Sequence, residues 1–210
     1  MHVSNQPRNV YFVGAHGTGK TTVLQALRKH LTTHLITEMY GHETEYPNFI
    51  EEVVREVMQR DGYTGEHVKM PSVGLELQKR TLMAQFKAEQ ALETKWFISD
   101  RSGIDPIIYA RVFQGEQAAE ELTRLSEWHV LRERMRHALV IVFEPGNERW
   151  LEVDGVRVIC KDLEEWRAIG TAFCQALEDH GIQFAIMPRD LEDLNQRVLF
   201  VERLVGHYFT

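Results

Sequence analysis

Apolar residues fall along this chain in two patterns. Short, largely apolar runs occur at Val10-Tyr11-Phe12-Val13, Trp96-Phe97-Ile98-Ser99, residues 138–143 and residues 183–187. They are rich in Val, Ile and Phe and too short for helices, so they read as buried strands. Residues 47–51 read as a further strand, the second in chain order. Between the runs, apolar positions recur at helical spacing. This predicts helices over 20–30, over 52–59 closed by Asp61-Gly62, and over 73–94 with Ser72 as N-cap. Another helix begins at Asp105-Pro106 and one covers 116–136. Asp162 with Glu165 forms a capping box for a helix to about residue 180, and Asp190 caps a terminal helix. Residues 35–37 read either as a short strand or as the end of a connection. Residues 150–159 read as a hairpin turning on Asp154-Gly155, a small lid. Strands alternating with helices imply an α/β fold with a parallel sheet, helices on both faces and ligands at the C-terminal strand ends. With no internal repeat, residues 1–210 are expected to form one domain.

The strand end that speaks most clearly is the first. Residues 14–21 read Gly-Ala-His-Gly-Thr-Gly-Lys-Thr, the complete phosphate-loop pattern between a strand and a helix. Backbone N–H groups at such a loop and helix N-terminus cradle phosphate oxygens. Gly14, His16, Gly17, Thr18, Gly19, Lys20, Thr21 and Thr22 are therefore the candidate nucleotide contacts. Lys20 supplies a charge for the terminal phosphates, and the Thr21 hydroxyl is placed for Mg²⁺.

The other strand ends supply partners. Asp100 closes its strand and is a candidate for Mg²⁺ or for taking a proton. Arg101 follows it where Walker-type hydrolases carry a glutamate, which favours transfer to a bound acceptor. Glu52 and Arg55, one helical turn apart, form the expected acceptor side. Arg157 on the hairpin is the candidate for reaching the transferring phosphoryl group. No N-K-x-D sequence marks a guanine site, so ATP is the default nucleotide and GTP the alternative.

Composition changes little in this picture. The chain has 210 residues, 43% hydrophobic and 26% charged, with net charge −7. That charge argues against broad nucleic-acid binding. No apolar run approaches the roughly 18 residues of a membrane span, and the first residues do not read as a secretory signal. Cys160 and Cys174 form no C-x-x-C pair and read as buried thiols of a reducing, cytoplasmic compartment.

Together, the phosphate loop, Glu51-Glu52-Val53-Val54-Arg55-Glu56-Val57-Met58, the block from Phe97 to Ala110 and Asp154-Gly155-Val156-Arg157 resemble the NadR/TTD-type AAA domain family of P-loop NTPases. The resemblance runs from about Arg8 to Val201. It implies a kinase-like fold with sheet order 2-3-1-4-5, nucleotide and Mg²⁺ at Lys20 and Thr21, and metal or base at Asp100. It places Glu52 and Arg55 beside the acceptor. Val53-Val54 stands where bacterial members have an aromatic-Ala pair. The family includes nicotinamide riboside kinases and also trafficking factors that bind GTP and phosphatidic acid. Three functions stay open: a kinase for a small hydroxyl acceptor, such as a nucleoside, a nucleotide-regulated binding module with little turnover, and a plain nucleotidase. Oligomeric state is not legible.

Overall fold

The computed structural model describes residues 6–146, 150, 160 and 162–207. Five parallel strands form one sheet in the order β2-β3-β1-β4-β5. They are β1 (Val10–Val13), β2 (Asn48–Ile50), β3 (Phe97–Asp100), β4 (Leu139–Phe143) and β5 (Phe184–Met187). Every residue of β1, β3 and β4 is buried, as strands covered on both faces must be. Period-2 alternation splits their side chains between two cores. Tyr11, Val13, Val140 and Val142 face one; Val10, Phe12, Leu139, Ile141 and Phe143 face the other.

Helices α1 (Lys20–His30), α2 (Thr33–Tyr40) and α9 (Leu194–His207) contribute to the second core. The first is built by α3 (Val53–Asp61), α4 (Pro71–Gln90), α5 (Ile104–Gln114), α6 (Glu116–Thr123), α7 (Ser126–Arg136) and α8 (Leu163–Asp179).

Several expected boundaries move, each for a local reason. Residues 35–37 lie within α2, which Thr32 caps by accepting the Leu35 N–H at 3.1 Å. Helix α4 starts at Pro71, whose missing N–H is harmless in a first turn, and not after Ser72. It ends at Gln90, ahead of the turn that leads to β3. Helix α5 begins at Ile104; Asp105 accepts the Ser102 N–H at 2.9 Å and so ties down the turn before it. The stretch 116–136 is two helices, because Leu125 is extended between α6 and α7. At α9 the cap is Asp193, accepting the Gln196 N–H at 2.9 Å, in place of Asp190. Asp162 does cap α8, through the Glu165 N–H at 2.8 Å. Apart from Trp150, the expected lid hairpin lies outside the described residues. Cys160 and Cys174 are free and only part-buried. Among the described residues, no helix is long and apolar enough to cross a membrane.

One ionisable group sits wholly inside the first core. Glu89 on α4 accepts the Tyr11 hydroxyl at 2.8 Å and the Gln85 amide at 2.9 Å, with Arg134 at 3.7 Å. Burial pushes its carboxyl from 4.5 up to about 7, against the pull of those partners. The folded state therefore holds this proton more tightly than the unfolded chain does. The resulting stabilisation is complete below about pH 4.5 and is lost as pH rises through about 7. Urea unfolding of the wild type and of Glu89→Gln at pH 5 and pH 8 should show it. The stability difference between the two proteins should move against the wild type by roughly 3 kcal/mol on going to pH 8.

Candidate functional site

The phosphate loop is shaped by close approaches that only glycine permits. At Gly14, φ is +127° and a Cβ would sit 2.5 Å from the Phe143 carbonyl oxygen at the end of β4. Gly19 is left-handed at φ +80° and precedes α1, whose first turn has no side-chain cap. No side chain takes up the N–H groups of that turn, whose residues line the loop cavity, an anion-binding arrangement. That cavity, of about 280 Å³, is lined by residues 17–22 together with Glu52 and Arg101. Lys20 Nζ donates to the Gly14 and Ala15 carbonyls at 2.9 and 2.6 Å. Burial, with Arg101's charge nearby, pulls its pKa down to about 7. An incoming polyanion opposes both effects.

Thr21 and Asp100 come together as their types suggest. The Thr21 hydroxyl donates to Asp100 Oδ2 at 2.5 Å. Asp100 Oδ1 is buried with no hydrogen-bond partner. Burial and the neighbouring Glu52 raise the Asp100 carboxyl to about 6. A buried carboxylate oxygen left open beside a hydroxyl is a fitting donor set for a hard cation such as Mg²⁺.

Arg101 binds the two halves of the site. It follows β3 in a left-handed conformation, φ +86°, the only such non-glycine residue among those described. The Phe12 carbonyl fixes that turn by accepting its N–H at 2.9 Å. Its guanidinium reaches Glu52 Oε1 at 2.7 and 2.8 Å, Asp105 Oδ1 at 3.2 Å and the Gly14 carbonyl at 3.3 Å. Glu52 stands just before α3 and also accepts from Arg55 Nε at 2.5 Å. Burial alone would raise the Glu52 carboxyl; Arg101 and Arg55 outweigh it and hold it at about 2.

Beyond Glu52 and Arg101 opens a cleft of roughly 600 Å³, its mouth included. Val53, Val54, Met58, Val68, Pro106 and Tyr109 give it apolar walls, and Arg55, Gln78, Thr81, Ser102 and Asp105 give it polar ones. His16 lines this cleft as well, and is absent from the lining of the loop cavity. Its N–H donates to the Tyr109 hydroxyl at 3.0 Å, its carbonyl accepts from Trp166 Nε1 at 2.7 Å, and its Nε2 lies 3.4 Å from Cys160 Sγ. Arg157 lies outside the described residues.

A family model described as an AAA domain matches residues 9–197. The chain belongs to this AAA domain family. Comparison with curated proteins gives no match. Among solved structures, the NadR protein in complex with NR is similar at 18% identity and TM-score 0.67, over 97% of this chain and 51% of that one. This AAA domain thus spans about half the length of that protein. Deoxyadenosine kinase from M. mycoides, with products bound, aligns at 14% identity and TM-score 0.58, over 92% of this chain and 96% of that one. Shikimate kinase from Acinetobacter baumannii, in complex with shikimate, aligns at 14% identity and TM-score 0.52, over 96% and 94%. At these identities the likeness is one of fold, and the sheet order 2-3-1-4-5 belongs to it.

Sequence reading misses three participants. Asp105 had one signal, the i, i+4 spacing from Arg101. Tyr109 and Arg197 had none. Arg197 reaches the phosphate loop from α9, donating to the Thr18 carbonyl at 2.8 Å.

Burial decides which ion pair matters. The Arg101 and Glu52 side chains are 11% and 9% exposed, whereas Arg55 is 38% exposed. Glu52→Ala should cost on the order of 3 kcal/mol, because it leaves Arg101 buried with Asp105 as its one paired carboxylate. Arg55→Ala should cost less than about 1 kcal/mol despite its short contact. Urea unfolding at pH 7 checks both. Since the folded Glu52 pKa lies below 4.5, this contribution is complete above about pH 4.5 and is lost as pH falls toward about 2.

Proposed function

We propose that this chain is an ATP- and Mg²⁺-dependent kinase that transfers the γ-phosphoryl group to a hydroxyl of a small acceptor. A nucleoside such as nicotinamide riboside is the first acceptor to try. The observation that carries the proposal is the double position of Glu52 and Arg101, which wall both the phosphate-loop cavity and the acceptor cleft. Hydrolysis needs only water beside the phosphate; a cleft with apolar walls and a few convergent polar groups suits an organic acceptor. The fold neighbours that carry kinase names and the NadR complex with NR support the reading by analogy.

In this reading the loop N–H groups and Lys20 hold the β- and γ-phosphates. Thr21 and Asp100 would hold Mg²⁺, which when bound would neutralise charge on the phosphate oxygens. Glu52, ionised at neutral pH, accepts the hydrogen bond of the acceptor hydroxyl. As the new oxygen–phosphorus bond forms, Glu52 takes the proton; the γ-phosphorus bond to the bridging oxygen breaks and ADP leaves with its electron pair. Arg101 faces the transferring oxygens, and Arg55 with the walls of the cleft orients the acceptor. Catalysis is then positioning and charge neutralisation.

Incubation with Mg-ATP and a panel of nucleosides should give acceptor-stimulated ADP release. Lys20→Ala should cost about 2–4 kcal/mol in kcat/KM, comparable to losing a fixed electrophilic donor. Asp100→Asn should lose turnover while still binding nucleotide in a fluorescence titration. Near-full transfer by Asp100→Asn would remove Asp100 from the mechanism. Tight GTP binding with no stimulation by any acceptor would replace the kinase with a nucleotide-regulated binding module.

A further inference from the structure

Arg197, in the first turn of α9, is packed against the phosphate loop at Thr18 and Gly19 and is 4% exposed. One guanidinium nitrogen donates to the Thr18 carbonyl at 2.8 Å. Another sits so near Gly19 that a Cβ there would lie 2.5 Å from it. The guanidinium carbon lies 5.1 Å from the centre of the Phe143 ring and 4.8 Å from that of Trp150. The Nε atom is buried without a hydrogen-bond partner. Among the described residues no carboxylate forms an ion pair with Arg197. Burial alone shifts its pKa, down to about 10. A buried cation with one hydrogen bond and two ring faces is a costly way to fill space, and an apolar side chain would fill it without desolvating a charge.

The peptide it binds explains the choice. The Thr18 carbonyl and the Gly19 N–H are opposite ends of one planar unit. Gly19 lines the loop cavity. A cation on the carbonyl end polarises the unit and makes the N–H a stronger donor toward an anion. It also ties down the carbonyl end of that peptide.

We infer that Arg197 is a positioning residue for the phosphate loop: it polarises and orients the Thr18–Gly19 peptide, so that polyphosphate affinity is set partly from the C-terminal helix. This rests on the nucleotide half of the proposed function and is independent of the acceptor. The test is calorimetric titration of the full chain with Mg-ATP and with Mg-tripolyphosphate, which has no base. Arg197→Met should weaken both ligands by the same factor, about tenfold, as expected for losing a charge-assisted hydrogen bond. Arg197→Lys should recover part of the loss. Should Arg197→Met fail to fold, Arg197→Gln serves, and its Gly19 amide proton resonance should move upfield from the wild-type position. Unchanged affinity for both ligands in a folded variant, or an unmoved Gly19 resonance, would overturn the inference. So would weakened Mg-ATP binding with tripolyphosphate binding unchanged, which would make Arg197 a contact of the base. A wild type that binds Mg-ATP but phosphorylates no acceptor defeats the kinase reading and leaves this inference standing. A wild type that binds neither ligand defeats it.

Discussion

The buried Arg101 guanidinium is the constraint on which the site depends. It holds Glu52 from the end of β2, Asp105 from the start of α5 and the Gly14 carbonyl of the phosphate loop. Each of these elements follows a different strand or opens a helix, and the sheet alone does not fix their distances. A charge taken out of water must be met by hydrogen bonds and opposite charge, so the three cannot drift without a large penalty. The left-handed backbone at Arg101 is part of the same device. Strain at a non-glycine residue persists only where surrounding bonds over-determine it, and here the Phe12 carbonyl and two carboxylates do so.

Charge is arranged around the loop with a division of labour. Lys20 weakens as a cation because it is buried beside Arg101, and Asp100 weakens as an anion because it is buried beside Glu52. Glu52 keeps its charge because two arginines face it. Two carboxylates close together are thus pushed apart in pKa, one toward neutrality and one firmly ionised. Such a separation is how two neighbouring carboxylates come to differ in charge at one pH. Arg197 adds a cation that acts through the backbone.

Much of this was legible in the residues. The phosphate loop is a local motif whose chemistry is carried by eight consecutive positions, so Gly14, Lys20 and Thr21 needed no tertiary information. Glu52, Asp100 and Arg101 stand out as candidates because parallel sheets bind ligands at the C-terminal strand ends. His16 belongs to the same loop, yet its backbone is committed to Tyr109 and Trp166 and its side chain to Tyr109 and the cleft. A motif fixes where the backbone goes and leaves each variable side chain to whatever packs against it. Helix caps failed where two candidates lay within a few residues, as at Asp190 and Asp193, since either type forms the same bond and only the chain path chooses.

Local patterning of residues is enough for the alternation of strands and helices, the burial of β1, β3 and β4, and the phosphate loop at the first strand end. These follow from short-range patterning: the period of apolar residues, the conformational freedom of glycine and the reach of one side chain. Tertiary structure decided what is joined across long separations. Glu52 meets Arg101, Thr21 meets Asp100, and Arg197 meets Thr18 only after the sheet has ordered its strands and α9 has packed against α1. No periodicity encodes such pairs, because they are set by the topology of the sheet and by the need of each buried charge to find a partner.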